Sequence, residues 1–275
     1  MSISAPRYAA APVPLQGREG RVLALFTREV VARFGWGTGL VVGLSYASVV
    51  LIIVVSAEFS SIVGGPTVGS FYFPYASPIW PFLVLIGATA VGAGCISEDL
   101  GSRSITLFLS RPIHLTDYLG AKASAVAFWI GLMSIGPGLL GVALVGALGL
   151  APLSVTLPAA AAYLASGLLT TLFFTALAVL LSSVTTRALY AGVGMFGITL
   201  SAEIAGSAVS GATGNSAVGY VSPIVDLQSS ASAIFQTGAT TLTVPAASAA
   251  LLIGASVLFF LVAWLRLSRV EVVGE

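Results

Sequence analysis

The chain alternates long apolar runs with shorter polar segments. Each run has about 20 residues, which is enough for an α-helix to cross the ~30 Å hydrocarbon core of a bilayer. The pattern therefore predicts six membrane-spanning helices, at Trp36–Ser56, Ile79–Ile96, Ala123–Leu148, Leu157–Leu181, Leu189–Ala208 and Ala246–Leu265.

Basic residues lie on only one side of these runs. An even number of crossings places both termini on the same side, and the three segments on the other side contain no Lys or Arg. By the positive-inside rule, both termini are predicted to be cytoplasmic. All 11 basic residues flank or connect the runs on the side of the termini: Arg7, Arg18, Arg21, Arg28, Arg33, Arg103, Arg111, Lys122, Arg187, Arg266 and Arg269.

An amphipathic helix is predicted at 20–35, between a flexible tail at 1–19 and the six-helix domain at 36–267, which a short tail at 268–275 follows. We expect this helix to lie in the cytoplasmic interface, where it either sets the topology or also contacts a cytoplasmic partner. On a helical wheel its apolar face carries Leu23, Phe26, Val30, Val31 and Phe34, and its polar face carries Arg21, Arg28, Glu29 and Arg33.

The overall composition excludes an ordinary soluble domain. The chain is 57% hydrophobic and 8% charged, with a mean hydropathy of +1.04, whereas soluble domains are about 25% charged. The single cysteine, Cys95, cannot form an intrachain disulfide, and one Cys and one His are too few for a zinc or copper site. The low Lys and high Ala and Gly content indicates a GC-rich prokaryote.

The most polar stretch between two runs is "ISEDLGSRSITLFLSRPIHLTDYLGAK", residues 96–122. Ser97 is placed to cap a short helix that begins with two acidic residues, which the helix dipole favours. Residues 104–110 then place apolar side chains in a cytoplasmic loop, and Pro112 ends that element. An exposed apolar patch rimmed by charges is typical of a docking surface for a protein partner.

This stretch resembles the first cytoplasmic loop of ABC-2 type permeases, the membrane subunits of a class of ATP-binding-cassette exporters. The resemblance implies an all-α polytopic membrane protein of the cell membrane, with six transmembrane helices, an N-terminal amphipathic interfacial helix, and a cytoplasmic coupling helix between helices 2 and 3. The matching positions are Glu98, Asp99, Ser102, Arg103, Leu107, Leu109, Ser110, Arg111, Pro112, Tyr118, Leu119 and Lys122.

The resemblance also implies a mechanism and partners. The loop would seat on a separate ABC ATPase subunit, and a second permease chain, identical or related, would complete the transporter. The sequence lacks the G-x-x-x-x-G-K-[ST] phosphate loop, so ATP would be bound by the partner, with no enzymatic activity, cofactor or nucleic acid expected for this chain. The residues implied in coupling are Glu98, Asp99, Arg103, Leu107, Phe108 and Arg111, with Arg187 as a second, smaller contact.

Glu203 is the only acidic residue well inside a predicted span. Counted from Arg187, it lies ~24 Å along a ~30 Å crossing, towards the outer side. A carboxylate at this depth is a candidate for the translocation path. The alternative is a side chain that reaches the outer interface or lines a water-filled vestibule.

Two other functions stay open at this stage. A stand-alone secondary transporter or channel would need more ionisable groups within the membrane than Glu203 alone. A membrane anchor for a cytoplasmic complex would also carry a docking loop. No pattern in the spans indicates the transported substrate.

The predicted topology can be tested with an epitope tag at either terminus. We expect protease to leave the tag intact in right-side-out vesicles and to remove it once the vesicles are permeabilised. A tag inserted at 238–243, between the last two spans, is the control and should be cleaved from outside. Cleavage of a terminal tag in intact vesicles would overturn the predicted orientation.

Overall fold

A computed structural model of the chain describes residues 17–77, 79–103, 114–213, 216–237 and 244–272. These residues form helices joined by short connections, with single 3-10 turns at Val68–Tyr72 and Ser216–Val221. The α-helices are α1 Arg18–Ala32, α2 Trp36–Val63, α3 Phe73–Ala76, α4 Ile79–Gly92, α5 Ser97–Gly101, α6 Leu115–Ser134, α7 Gly136–Ala147, α8 Leu153–Val184, α9 Ala188–Thr213, α10 Pro223–Ile234 and α11 Pro245–Val272.

The predicted set of membrane-spanning helices is confirmed. Six segments are long and apolar enough to cross a membrane, and α6 and α7 together form the third of them. We call the end of the bundle that holds α1, α5 and the connection at 185–187 the basic end, and the other end the distal end. The six segments are Trp36–Ser60, Ile79–Gly101, Leu115–Ala147, Leu153–Val184, Ala188–Thr213 and Ala246–Arg269.

Helix α8 forms the centre of the bundle. It packs against α4, α6, α7, α9, α10 and α11, so most of its circumference is protein rather than lipid. Hydroxyl side chains line part of this buried surface: Thr170 donates to the Ser166 carbonyl at 2.9 Å, and Thr171 lies 3.0 Å from the Ser134 hydroxyl of α6. Such small polar side chains allow close helix approach in a membrane and satisfy one another there.

The third span is interrupted at Ile135, as the sequence Gly136-Pro137-Gly138 predicts. Helix α6 ends at Ser134 and α7 begins at Gly136, because the proline has no N–H to continue the hydrogen-bond ladder. A Cβ at Gly136 would overlap Tyr46 of α2, and one at Gly138 would overlap Tyr163 of α8. Gly138 therefore leaves no room for a side chain beside the buried Tyr163 ring, whereas a side chain at Gly136 would require the end of Tyr46 to shift.

The aromatic segment Phe71–Pro81, predicted from the sequence to mark a membrane interface, lies largely in the protein interior. Phe71, Tyr75 and Trp80 are buried, and the rings of Tyr75 and Trp80 are 4.3 Å apart. The Tyr163 hydroxyl donates to the Phe71 carbonyl at 2.5 Å. The segment folds back over α8, so its rings pack on one another instead of on lipid.

The polar sequence Ser222–Phe235, between the last two spans, predicts a short helix lying at the surface. The structure has this helix, α10, but not at the surface. Helix α10 packs against α8, α9 and α11, and residues from Ile224 to Ser232 along one side of it are buried. The Tyr72 hydroxyl donates to the Gln228 carbonyl at 3.1 Å, and the Gln228 amide donates to the Tyr75 carbonyl at 3.0 Å. These bonds hold α10 against the aromatic segment as a cap on the distal end.

Candidate functional site

The basic end contains a buried cluster of charged side chains from three helices. The ammonium of Lys122 on α6 lies 2.7 Å from Glu29 Oε1 on α1 and 2.8 Å from Asp99 Oδ2 on α5. Only 4% of the lysine side chain is exposed. The Tyr118 hydroxyl donates to the same Asp99 oxygen at 2.6 Å. We call Glu29, Arg33, Asp99, Tyr118 and Lys122 the Lys122 network.

Helical spacing in the sequence explains how this network forms. Tyr118 and Lys122 are four residues apart, so they lie on the same face of α6 and both reach Asp99. Glu29 and Arg33 have the same spacing on α1 and form an ion pair at 3.2 Å. Glu29 is thus shared between Arg33 and Lys122 of α6, whereas both partners of Asp99 lie on α6.

Arg33 links the network to the helices that begin and end beside it. Its guanidinium donates to the Val91 carbonyl in the last turn of α4, where helix carbonyls have no partner within the helix. The Arg33 carbonyl accepts from the Thr38 hydroxyl of α2 at 3.0 Å. The polar face of α1 therefore points partly into the protein, not wholly to water as an interfacial helix would.

Helix α1 is attached to α6 at further points along its length. The Arg18 guanidinium donates two hydrogen bonds to the Asp117 carboxylate, at 2.7 and 2.8 Å. The Trp129 indole donates to the Val30 carbonyl at 3.2 Å, and its ring stacks on Phe34 with centroids 5.8 Å apart. The Arg18 side chain is mostly exposed, so we expect its ion pair to contribute less than the buried one at Lys122.

Ser182 of α8, and not Ser97, caps the start of α5. Its Oγ accepts from the backbone N–H of Ile96 at 2.8 Å and of Ser97 at 2.9 Å, and it donates to the Ala93 carbonyl at 3.0 Å. The predicted cap is wrong because the Ser97 hydroxyl turns back and donates to the Ala93 carbonyl at 2.8 Å. The first turn of α5 is therefore bonded directly to the central helix.

The connection between α8 and α9 lies beside the end of α5. A Cβ at Gly101 would come within 2.6 Å of the Thr186 carbonyl oxygen, so the two segments meet backbone to backbone. Arg266 of α11 donates to the Ser183 carbonyl at 2.8 Å and to the Val184 carbonyl at 3.0 Å. These bonds satisfy two of the last carbonyls of α8. They also hold α11 beside the 185–187 connection, which itself contacts the end of α5.

The residues predicted to act in coupling have different surroundings. Asp99 belongs to the Lys122 network, whereas Glu98 and Arg103 are exposed. Arg103 has a positive φ of 55°, at the point where the chain leaves α5. Arg187 is exposed, with its guanidinium 5.8 Å from the Tyr190 ring centroid. Leu107, Phe108 and Arg111 lie outside the described residues.

Sequence reasoning did not assign Glu29 a site, and it used Lys122 only as a motif position. The available signal was the pair of four-residue spacings, Glu29–Arg33 and Tyr118–Lys122, at the edges of apolar runs. Ionisable groups near a membrane core usually pair with one another. The pairing between helices could not be read from the spacing, because it depends on how α1 folds back onto α6.

Glu203 lies in the distal half of α9 and is half-buried. Its carboxylate accepts a hydrogen bond from the Ser222 hydroxyl, and Ser222 also caps α10 by accepting from the Val225 N–H at 3.2 Å. Glu203 thus has a structural contact with the cap of the distal end, and its role in a translocation path stays a prediction.

Among the residues that the structure describes, no three His, Cys, Asp or Glu side chains converge as metal ligands would. Cys95 is fully buried beside the Lys122 network. The chemistry that the basic end offers is therefore ionic pairing between helices.

The sequence model of the family described as "ABC-2 family transporter protein" matches residues 23–272. The match extends from the middle of α1 to the end of α11 and so includes every helix of the Lys122 network. No curated protein and no solved structure matches the chain.

The Lys122 network predicts a specific order of stabilities. Lys122→Met leaves two carboxylates in a buried site without their shared cation, so we expect a loss of about 3–5 kcal/mol. Adding Glu29→Gln and Asp99→Asn removes the unpaired charges and should restore much of that stability. Thermal unfolding of the purified proteins in detergent measures the order, with Arg269→Met, an exposed change, as the control. A triple variant less stable than Lys122→Met would refute the ionic account.

Proposed function

The chain belongs to the ABC-2 transporter family, and we propose that it is a permease subunit that couples ATP hydrolysis by a separate ATPase subunit to export of a substrate. Membership places it among the membrane subunits of ABC transporters and implies association with a membrane and an ABC ATPase. The direction of transport, the identity of the ATPase and the route of coupling are the parts we propose.

The observation that carries the proposal is the Lys122 network. Asp99 lies on α5, three residues before the 102–114 segment, and Lys122 lies on α6, eight residues after it; their ion pair of 2.8 Å joins the two flanking helices. Glu29 adds α1 to the same cation. A force on a docked 102–114 segment would therefore be transmitted to α1 and α6.

In the proposed mechanism, the 102–114 loop seats on the ATPase and moves when two ATPase subunits close on ATP. The movement passes through Asp99 and Lys122 into α6, and through Glu29 into α1. It passes also through the hydrogen bonds of Ser182 into α8. Arg187, beside Gly101, provides the second contact with the ATPase. The chain has no phosphate-binding loop of its own, so ATP is bound by the partner.

A second permease chain completes the proposed transporter. Gly39 and Gly43 of α2 and Gly197 of α9 have open space where a side chain would project, which supports these helices as the faces that meet the second chain. Gly192, in contrast, lies against Thr89 inside the bundle. Both termini and the basic end face the cytoplasm of a prokaryotic cell in this proposal, where the ATPase can reach the loop.

The docking part of the proposal is tested by Leu107→Ala and Arg111→Ala. We expect each variant to insert in the membrane but to retain less ATPase, because the apolar anchor or the charged rim of the interface is lost. Affinity purification from native membranes in mild detergent, followed by quantification of a co-purifying P-loop ATPase, measures the effect. Arg269→Ala is the matched control on the same side. Unchanged ATPase binding in both variants would refute the docking assignment.

The transmission part of the proposal is tested by Asp99→Asn. This change keeps the loop but weakens its tie to Lys122, so we expect the ATPase to remain bound. The difference in ATP hydrolysis between the free and the permease-bound ATPase should decrease severalfold. Glu19→Gln, an exposed acid on α1, is the control. If Asp99→Asn leaves that difference unchanged, the network is structural only.

A further inference from the structure

A cavity of about 260 Å³ lies between α8, α9, α10 and α11. Its walls are mostly apolar and include three aromatic side chains, Phe173 of α8, Tyr220 before α10 and Phe259 of α11. It lies within a single chain, about halfway along the bundle, and the segment from Tyr220 to Asp226 forms its distal wall. A volume slightly below the usual ~300–1,000 Å³ range of ligand pockets corresponds to a small molecule.

Two polar side chains in the walls of this cavity lack partners. Asp226 of α10 is only 3% exposed, and Thr199 of α9 is fully buried. The Oδ1 atom of Asp226 and the hydroxyl of Thr199 make no hydrogen bond to any residue that the structure describes. Buried polar groups in folded proteins are nearly always satisfied. Nine buried side-chain polar atoms of the described residues have no hydrogen bond, and these two are the ones that line the same cavity.

No cation from the surrounding helices balances the Asp226 carboxylate. Residues 188–265, which include α9, α10 and most of α11, contain no Lys or Arg, and neither does α8. The other titratable groups in the distal half of the elements packed against α10 are acidic or phenolic and cannot supply a positive charge: Glu203, Tyr72, Tyr75, Tyr163 and Tyr220. Burial raises the pKa of Asp226 to about 6, with the neighbouring Ser248 hydroxyl opposing the shift, so the group is still mainly ionised at neutral pH.

We propose that this cavity binds a small apolar molecule that carries one ammonium group. The ammonium would pair with the Asp226 carboxylate and approach the Thr199 hydroxyl, which together would satisfy both unpartnered groups. The faces of Phe173, Tyr220 and Phe259 attract cations and bury apolar carbon. A neutral ligand would leave the carboxylate uncompensated, and an anion would be repelled by it.

Ligand binding in this cavity is independent of the proposed coupling to an ATPase. Binding is a property of the purified chain, and it can succeed or fail whether or not an ATPase co-purifies.

The experiment compares two probes of the same skeleton, 2-phenylethylammonium and neutral 2-phenylethanol. Isothermal titration with the full chain in lipid nanodiscs, corrected with empty nanodiscs, measures both affinities. We expect the ammonium to bind about tenfold or more tightly than the alcohol, as for a charged hydrogen bond in a buried site. Equal affinities of the two probes would overturn the proposal.

The matched variants are Asp226→Asn and Glu58→Gln. Both remove one acidic charge from the distal half, but Glu58 is an exposed residue of α2 and does not line the cavity. Asp226→Asn should remove the preference for the ammonium, while Glu58→Gln should keep it. A preference that persists in Asp226→Asn would exclude the carboxylate as the binding group.

A pH series on the unmodified chain keeps the proposal falsifiable if Asp226→Asn does not fold. Benzyltrimethylammonium carries a permanent charge, so only the protein titrates in this experiment. Its affinity should decrease as the pH falls through about 6, where Asp226 takes up a proton. An affinity that stays constant from pH 8 to pH 5 would contradict the assignment, whereas a decrease centred near the pKa of Asp226 supports it.

Discussion

Lys122, the only lysine in the chain, is held in the protein interior between carboxylates from two other helices. Removing an ammonium from water costs several kcal/mol, and only well-placed partners offset that cost. Glu29 and Asp99 supply them at 2.7 and 2.8 Å. Arg33 pairs with the other oxygen of Glu29, and Tyr118 donates to the same Asp99 oxygen that Lys122 contacts. The requirement ties α1 and α5 to α6.

The charged side chains at the two ends of the bundle have different surroundings. At the basic end, buried acids meet cations from neighbouring helices, so the charges act as ties between helices. At the distal end there are acids but no cations, and Asp226 is buried among apolar side chains. A buried carboxylate without a partner destabilises a fold. A bound cation from outside the chain would remove this cost and so explain why Asp226 is buried there.

The spans, the break at Ile135 and the existence of α10 could be predicted because each depends on local pattern: apolar length, a proline between glycines, and a capped polar segment. The burial of Tyr75 and Trp80 could not be predicted, since an aromatic residue beside a span is equally compatible with lipid and with a protein core.

The same limit applies to the Lys122 network. The spacing of Tyr118 and Lys122 was visible, but their partners Asp99 and Glu29 become neighbours only after α1 and α5 pack on α6. Ser182 illustrates the limit further, because a hydroxyl more than 80 residues away performs the capping that Ser97 suggested.

Helix α8 links the start of α5 to the cavity that contains Asp226. Ser182 near its end bonds the start of α5, and Phe173 and Leu177 of the same helix line the cavity that also contains Asp226. Phe173 is nine residues from Ser182, which is about 14 Å along an uninterrupted helix. A hydrogen-bonded helix is stiff over such a distance, so a displacement of α5 would reach one wall of the cavity directly. In the third span, Ile135 bonds to Gly131 of α6 and accepts from Leu139 of α7, and the proline after it removes only one bond of the ladder. In the proposed mechanism, α8 is therefore the most direct route by which a displacement of the basic end would reach the cavity.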